Sequence, residues 1–154
     1  MLKAVIPRLE DLRFRQALLS DAQTMSYNHG YGGTISFPRD AWQSWYDRWI
    51  VTGGKLRFYR YLKDPWLGFV GEIACHLDPD TNRYMADVLV KAEHRGRGFG
   101  SQGLTLLCRL AKDSGVDVLY DAIAIDNPAV ALFKRSGFAE EYRTDEIILV
   151  RKCL

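Results

Sequence analysis

Residues 94–103 read HRGRGFGSQG, and no other stretch limits the fold as much. Glycines let the backbone take turns closed to other residues. Directly behind them an apolar stripe begins, with Leu104, Leu107 and Leu110/Ala111 at helical spacing. Gly115 stands where a left-handed C-terminal cap belongs. The segment predicts a tight turn feeding a helix over residues 98–114, ahead of an apolar strand over residues 118–125.

Gly98, Gly100 and Gly103 also spell G-x-G-x-x-G, the dinucleotide fingerprint. A strand precedes it, and Asp121 lies where a ribose-binding carboxylate would be sought. Three features oppose that reading. Nearly a hundred residues precede the motif and only about fifty follow it. Residues 91–97 separate the strand from Gly98, too many for the fingerprint's tight turn. Asp121 falls inside a strand pattern rather than at its end. What survives is simpler physics. A helix opening at a glycine turn offers unpaired amides and the positive end of its dipole to an anion. Arg95 and Arg97 could add charge-assisted contacts. The plain alternative is a solvated basic turn.

The rest of the chain predicts one domain, residues 1–154. A strand is expected over residues 12–17, where Leu and Phe alternate with Arg. A short helix over residues 20–28 follows, capped by Ser20 and stopped by Gly30. A second helix, residues 38–52, carries Trp42, Trp45, Tyr46 and Trp49 on one side, read as core before binding wall. Strands follow over residues 56–62, 66–76 and 84–90. After residue 125, Asn127-Pro128 opens a short helix that Gly137 ends, and strands over residues 138–142 and 146–152 close the chain. The order predicts a mixed α/β (α+β) sheet, antiparallel in its first half and joined to strand–helix–strand units.

Composition excludes several classes. A net charge of +2 does not argue for nucleic acid. No apolar run spans a bilayer, and the first residues lack a secretion signal's apolar core. Cys75, Cys108 and Cys153 show no metal or disulfide spacing. The expectation is a cytoplasmic chain without metal or membrane partner.

The run VLVKAEHRGRGFGSQGLTLL resembles the acetyl-CoA-binding motif of the GNAT superfamily of N-acetyltransferases, an Arg or Gln followed by Gly-x-Gly/Ala, here Arg95, Gly98 and Gly100. NPAVALFKRSGF, from Asn127 to Phe138, resembles that family's second motif. The resemblance implies a mostly antiparallel central sheet with a parallel, splayed strand pair and about four helices. It implies acetyl-CoA as co-substrate and a primary amine of a small molecule or peptide as acceptor, and it allows a homodimer. The backbone of Arg95, Gly96, Arg97, Gly98, Phe99, Gly100 and Ser101 would hold the pyrophosphate. Val88, Leu89 and Val90 would pair with the pantetheine arm, with an amide near Leu89 or Val90 facing the thioester oxygen. Asn127 would bond the arm, and Phe133 would stand beside it.

Acetyl transfer needs a free amine and a donor for the developing oxyanion, and the departing thiolate can use a proton. Glu72, a charge inside an apolar strand, is the first candidate base; Asp87 and Tyr84 come next, and His76 and His29 rank lower. Many family members carry a tyrosine as acid where this chain has Phe133, which cannot donate; Tyr142 is a substitute. That departure keeps a non-catalytic acyl-CoA-binding module as an alternative, with a nucleotide-dependent oxidoreductase as a remote one.

Overall fold

A computed structural model describes residues 1–29 and 32–154. Its strands are β1 (Lys3–Val5), β2 (Arg57–Asp64), β3 (Gly68–Asp78), β4 (Arg83–Val90), β5 (Val118–Ala124), β6 (Ala139–Arg143) and β7 (Ile147–Cys153). The helices are α1 (Leu12–Ser20), α2 (Trp42–Tyr46), α3 (Phe99–Asp113) and α4 (Ala129–Arg135). All seven strands form one sheet in the order β1-β2-β3-β4-β5-β7-β6. Every neighbouring pair is antiparallel except β4–β5, which is parallel and joined only at Tyr84↔Leu119 and Met85↔Tyr120. Beyond those pairs the two strands part, and a wedge opens between their C-terminal ends.

Side-chain alternation assigns the helices to faces. Ile73 and Cys75 of β3, Ala86 and Val90 of β4, and Leu119 and Ile123 of β5 pack with Leu104 and Leu107 of α3 and Phe133 of α4. The opposite face carries Tyr59, Tyr61 and Ala74, against which Trp45 and Trp49 pack. There Leu89 meets Leu12, Leu19, Phe37 and Trp42. So α3 and α4 cover one face, and α1 and α2 cover the first half of the other.

Three expectations change. Residues 12–17 are helical, not a strand. Leu12 and Leu19 are buried and Arg15 points inward between them, which is i, i+3, i+7 spacing; the alternation of Leu and Phe with Arg merely coincided with it. Ser20 is therefore the last residue of α1 rather than a cap, and its hydroxyl donates back to the Ala17 carbonyl. Residues 22–27 form turns instead of the expected helix; its predicted stop, Gly30, lies outside the described residues. The three-residue edge strand β1 was not expected. The tryptophan-bearing helix is present, as a 3-10 turn (Arg39–Ala41), α2, and a π turn (Asp47–Val51) in one run. It is core: Trp42 is buried and Trp45 stacks edge-on to Tyr59 at 4.7 Å.

Candidate active site

The wedge is built by the sequence around residues 88–103. β4 ends at Val90, a short 3-10 turn (Ala92–His94) follows, and α3 starts with Gly98 as its N-cap at φ +83°. Gly96 also has positive φ, +78°. Both conformations suit glycine and strain other residues. No side chain among the described residues caps α3, so its first-turn amides, Phe99 to Ser101, remain open donors. A Cβ on Gly100 would lie 3.2 Å from Leu132 and 4.0 Å from Val90, which places this helix start against both α4 and the end of β4. The amides, the dipole's positive end and the wedge converge there, at the carboxyl ends of the parallel strands.

Strand alternation decides which backbone groups face the wedge. The Lys91 amide donates to the Val70 carbonyl on β3 at 2.9 Å. In antiparallel pairing that direction repeats every second residue. The Leu89 amide accordingly points to β3, and those of Val88 and Val90 point into the wedge. Of the two amides expected near the thioester, Val90's has the required direction and Leu89's does not.

Arg95 has a different task from the one expected of it. Its guanidinium donates to the carbonyls of Gln23 (3.2 Å) and Thr24 (2.7 Å). Thr24, buried, accepts from the Ala92 amide at 2.9 Å. Arg95 thus braces the turn before α3 against the segment after α1, while Arg97 is exposed. The side chains of Phe99 and Phe133 are core, and Phe133 packs edge-on to Phe138 at 5.0 Å. A ring so enclosed has little surface for a cofactor, which corrects its expected place beside the arm; Phe99 keeps only its amide. Asn127 caps α4 by accepting from the Ala129 amide at 2.9 Å, leaving its Nδ2 hydrogens for another acceptor.

Among the candidate bases, Glu72 is buried as expected, but both its oxygens are engaged. Arg15 Nη1 lies 2.9 Å from each, and the Tyr59 hydroxyl donates to Oε2. The Arg15 guanidinium sits over the rings of Trp45 (4.6 Å), Phe37 (5.2 Å) and Tyr59 (5.3 Å). Burial is the largest single influence and opposes its charge, but Glu72 and Tyr59 together outweigh it and hold Arg15 protonated. Burial, then Glu72's charge, push the Tyr59 hydroxyl well above its ordinary range. Arg15 escaped the sequence reading because its segment looked extended; the spacing of Leu12, Arg15 and Leu19 was the available signal.

Asp87 stands on the Leu89 side of β4, on the face opposite α3 and at the wedge, with its side chain 61% exposed. His76 Nδ1 approaches it at 3.6 Å, and the Trp49 ring lies edge-on to His76. Tyr84 points to the α3 face, and its hydroxyl bonds the Lys55 carbonyl at 3.3 Å. Tyr142 is exposed on β6, the sheet edge, with β7 between it and β5. The structure therefore places Asp87 at the wedge, with His76 of β3 behind it across β4, and leaves Tyr84 and Tyr142 apart from them. In the loop of residues 27–33, His29 reaches Asp126 at 3.2 Å, joining the segment after α1 to the one after β5; Gly30 and Tyr31 lie outside the described residues.

The sheet is thus split at its single parallel pair, with an open helix N-terminus at the split. The profile of the Acetyltransferase (GNAT) family matches residues 19–138, and the chain belongs to that family; it is an acyltransferase. Similar solved structures are a ribosomal-protein-alanine N-acetyltransferase from Brucella melitensis (21% identity, TM-score 0.77, covering 100% of this chain and 99% of that one) and a spermidine N-acetyltransferase from Vibrio cholerae in complex with CoA and spermine (21%, 0.76, 99% and 94%). A third is yncA from Salmonella typhimurium with acetyl-CoA (16%, 0.75, 100% and 94%). At these identities the likeness is one of fold. Family membership removes the oxidoreductase reading and the non-catalytic module.

Proposed function

We propose that this chain transfers the acetyl group of acetyl-CoA to a primary amine of a small molecule or peptide, by direct attack of the amine on the thioester, in the cytoplasm. One observation carries this reading: the open amides of Val88 and Val90 line the same wedge that the uncapped start of α3 faces. The residues fit the cofactor. The backbone of residues 95–101 would hold the pyrophosphate, with Arg97 adding charge. The free edge of β4 would pair with the pantetheine arm as an added strand, and Asn127 Nδ2 would donate to it. Acetyl-CoA supplies the activated acyl group; the chain orients it and moves protons. The Val88 amide, which points the same way two residues deeper in the wedge and next to Asp87, serves as oxyanion donor, while Val90, beside the start of α3, pairs with the arm.

Asp87 takes the proton from the amine. It is the carboxylate at the wedge on the α1/α2 face, while Glu72 is committed to Arg15. Asp87→Asn is expected to lower kcat about 100-fold near neutral pH, with the deficit shrinking at alkaline pH as the free amine supplies itself. A pH–rate profile checks this; an equal deficit at every pH would reject Asp87 as base.

The cradle has its own test. Gly98→Val puts a β-branched residue at positive φ and crowds the phosphate approach. Acetyl-CoA is expected to raise the melting temperature of the wild type and not of the variant. Equal stabilisation of both would place the pyrophosphate elsewhere. A panel of peptide N-termini, polyamines and amino acids, read by thiol release, identifies the acceptor.

A further inference from the structure

Asp121 is the group the scheme above leaves unused. It lies on β5 one residue beyond Tyr120, the last residue paired to β4. Its strand neighbours two positions away, Leu119 and Ile123, are core residues of the α3/α4 face, so alternation directs Asp121 to that face too. The carboxyl is packed among protein atoms, yet the residue keeps partial exposure. β5 stops pairing with β4 at Tyr120, so Asp121 stands at the inner end of the wedge. An acidic residue between two fully apolar neighbours costs stability unless it remains neutral or is paired, and no ion pair holds it among the described residues. Burial first, and Asp87's negative charge second, push its carboxyl well above the ordinary range, against a smaller opposite effect of the Ala122 amide.

Among the described residues, the elements around it offer no compensating cation. Arg151, beside its β7 partner Val150, points to the other face over Tyr120. Lys152 donates to the Ser136 carbonyl at 2.7 Å. Lys134 of α4 pairs with Glu140 at 3.7 Å, and Cys108 of α3 is pushed upward by burial. Two carboxyls therefore flank the wedge in opposite surroundings: Asp87 in water on the acceptor face, Asp121 enclosed on the cofactor face. Such a separation of environments divides base from acid.

We propose that Asp121 is the acid that protonates the departing sulfur. The assignment rests on the acetyl-transfer reading above. As the amine nitrogen bonds to the carbonyl carbon, the C–S bond breaks and its electron pair stays on sulfur. Asp121 gives its O–H proton to that sulfur, releasing a thiol. The carboxylate left behind regains a proton from solvent, which receives the amine's proton through Asp87, so charge and protons balance. An enclosed wedge disfavours a bare thiolate next to a carboxyl, and a neutral Asp121 removes both problems at once. Phe133, buried beside Phe138, has no proton to offer.

The experiment is Asp121→Asn, which keeps shape and removes the acid. kcat is expected to fall about 100-fold, with KM for acetyl-CoA within about twofold. Wild-type kcat should decline as rising pH ionises Asp121, and the variant should lack that decline. A second readout needs no turnover. Because the folded carboxyl holds its proton above the unfolded value, near pH 4, its contribution to stability is complete below that pH and decays as pH rises toward the folded value. Thermal melts of the protein alone from about pH 5 to 9 should show wild type losing stability relative to the Asn variant. A variant with wild-type kcat and the same decline at rising pH, or melts that run parallel, overturns the assignment and leaves acetyl transfer standing. Failure of the wild type to acetylate any amine overturns the function and this assignment with it.

Discussion

Glu72→Ala is expected to destabilise the fold by about 3–5 kcal/mol and to lower the melting temperature by roughly 10 °C. The reason is the partner left behind. Arg15 is only 18% exposed at its side chain, and Glu72 only 11%. Without the carboxylate, a guanidinium enclosed by Phe37, Trp45 and Tyr59 has no counter-charge, and the Tyr59 hydroxyl loses its acceptor. Removing both charges costs less than removing one, so Arg15→Met combined with Glu72→Ala should recover part of the loss. Paired calorimetric melts of the single and double variants measure it. If Glu72 were instead the base, the single variant would melt near wild type and lose rate at neutral pH alone.

Gly71→Ala should cost activity more than its one methyl group suggests. A Cβ there would stand 2.3 Å from the Leu89 carbonyl oxygen and 3.1 Å from the Val90 Cα. Neither is a side-chain tip that can swing away, so β3 and β4 must separate. β4 is the strand whose Val88 and Val90 amides face the wedge, and a shift of about 1 Å there would misalign the proposed oxyanion donor. The expected loss is about 100-fold in kcat/KM, with about 1–3 kcal/mol of destabilisation. Kinetics and melts on the same preparation test both. Unchanged kcat/KM would mean that β4's position does not govern the reaction.

Different parts of the molecule were legible for different reasons. The turn and helix at residues 96–113 could be read because their determinants are local: glycines at positive φ and an apolar stripe of helical period. The segment at residues 12–17 was misread because six residues can satisfy two periods at once, and burial of Leu12 and Leu19 decided the matter. β1 is too short for any period to show; it exists because β2 offers an edge. The dispersal of the candidate bases had no local signature. Glu72 looked unpaired in its strand because Arg15, 57 residues away, is brought to it only by the packing of α1 on β3.

The sequence by itself determined the glycine turn, the helix behind it and the family to which the chain belongs, since backbone conformation and periodicity act over a few residues. Only the tertiary structure decided that Arg95 is a brace, that Glu72 is a neutralised partner, and that Asp87 and Asp121 stand on opposite faces of one opening. Those outcomes depend on where β4 and β5 stop pairing and on which charges burial leaves with a partner. Both are set by contacts between distant segments, and no local pattern encodes them.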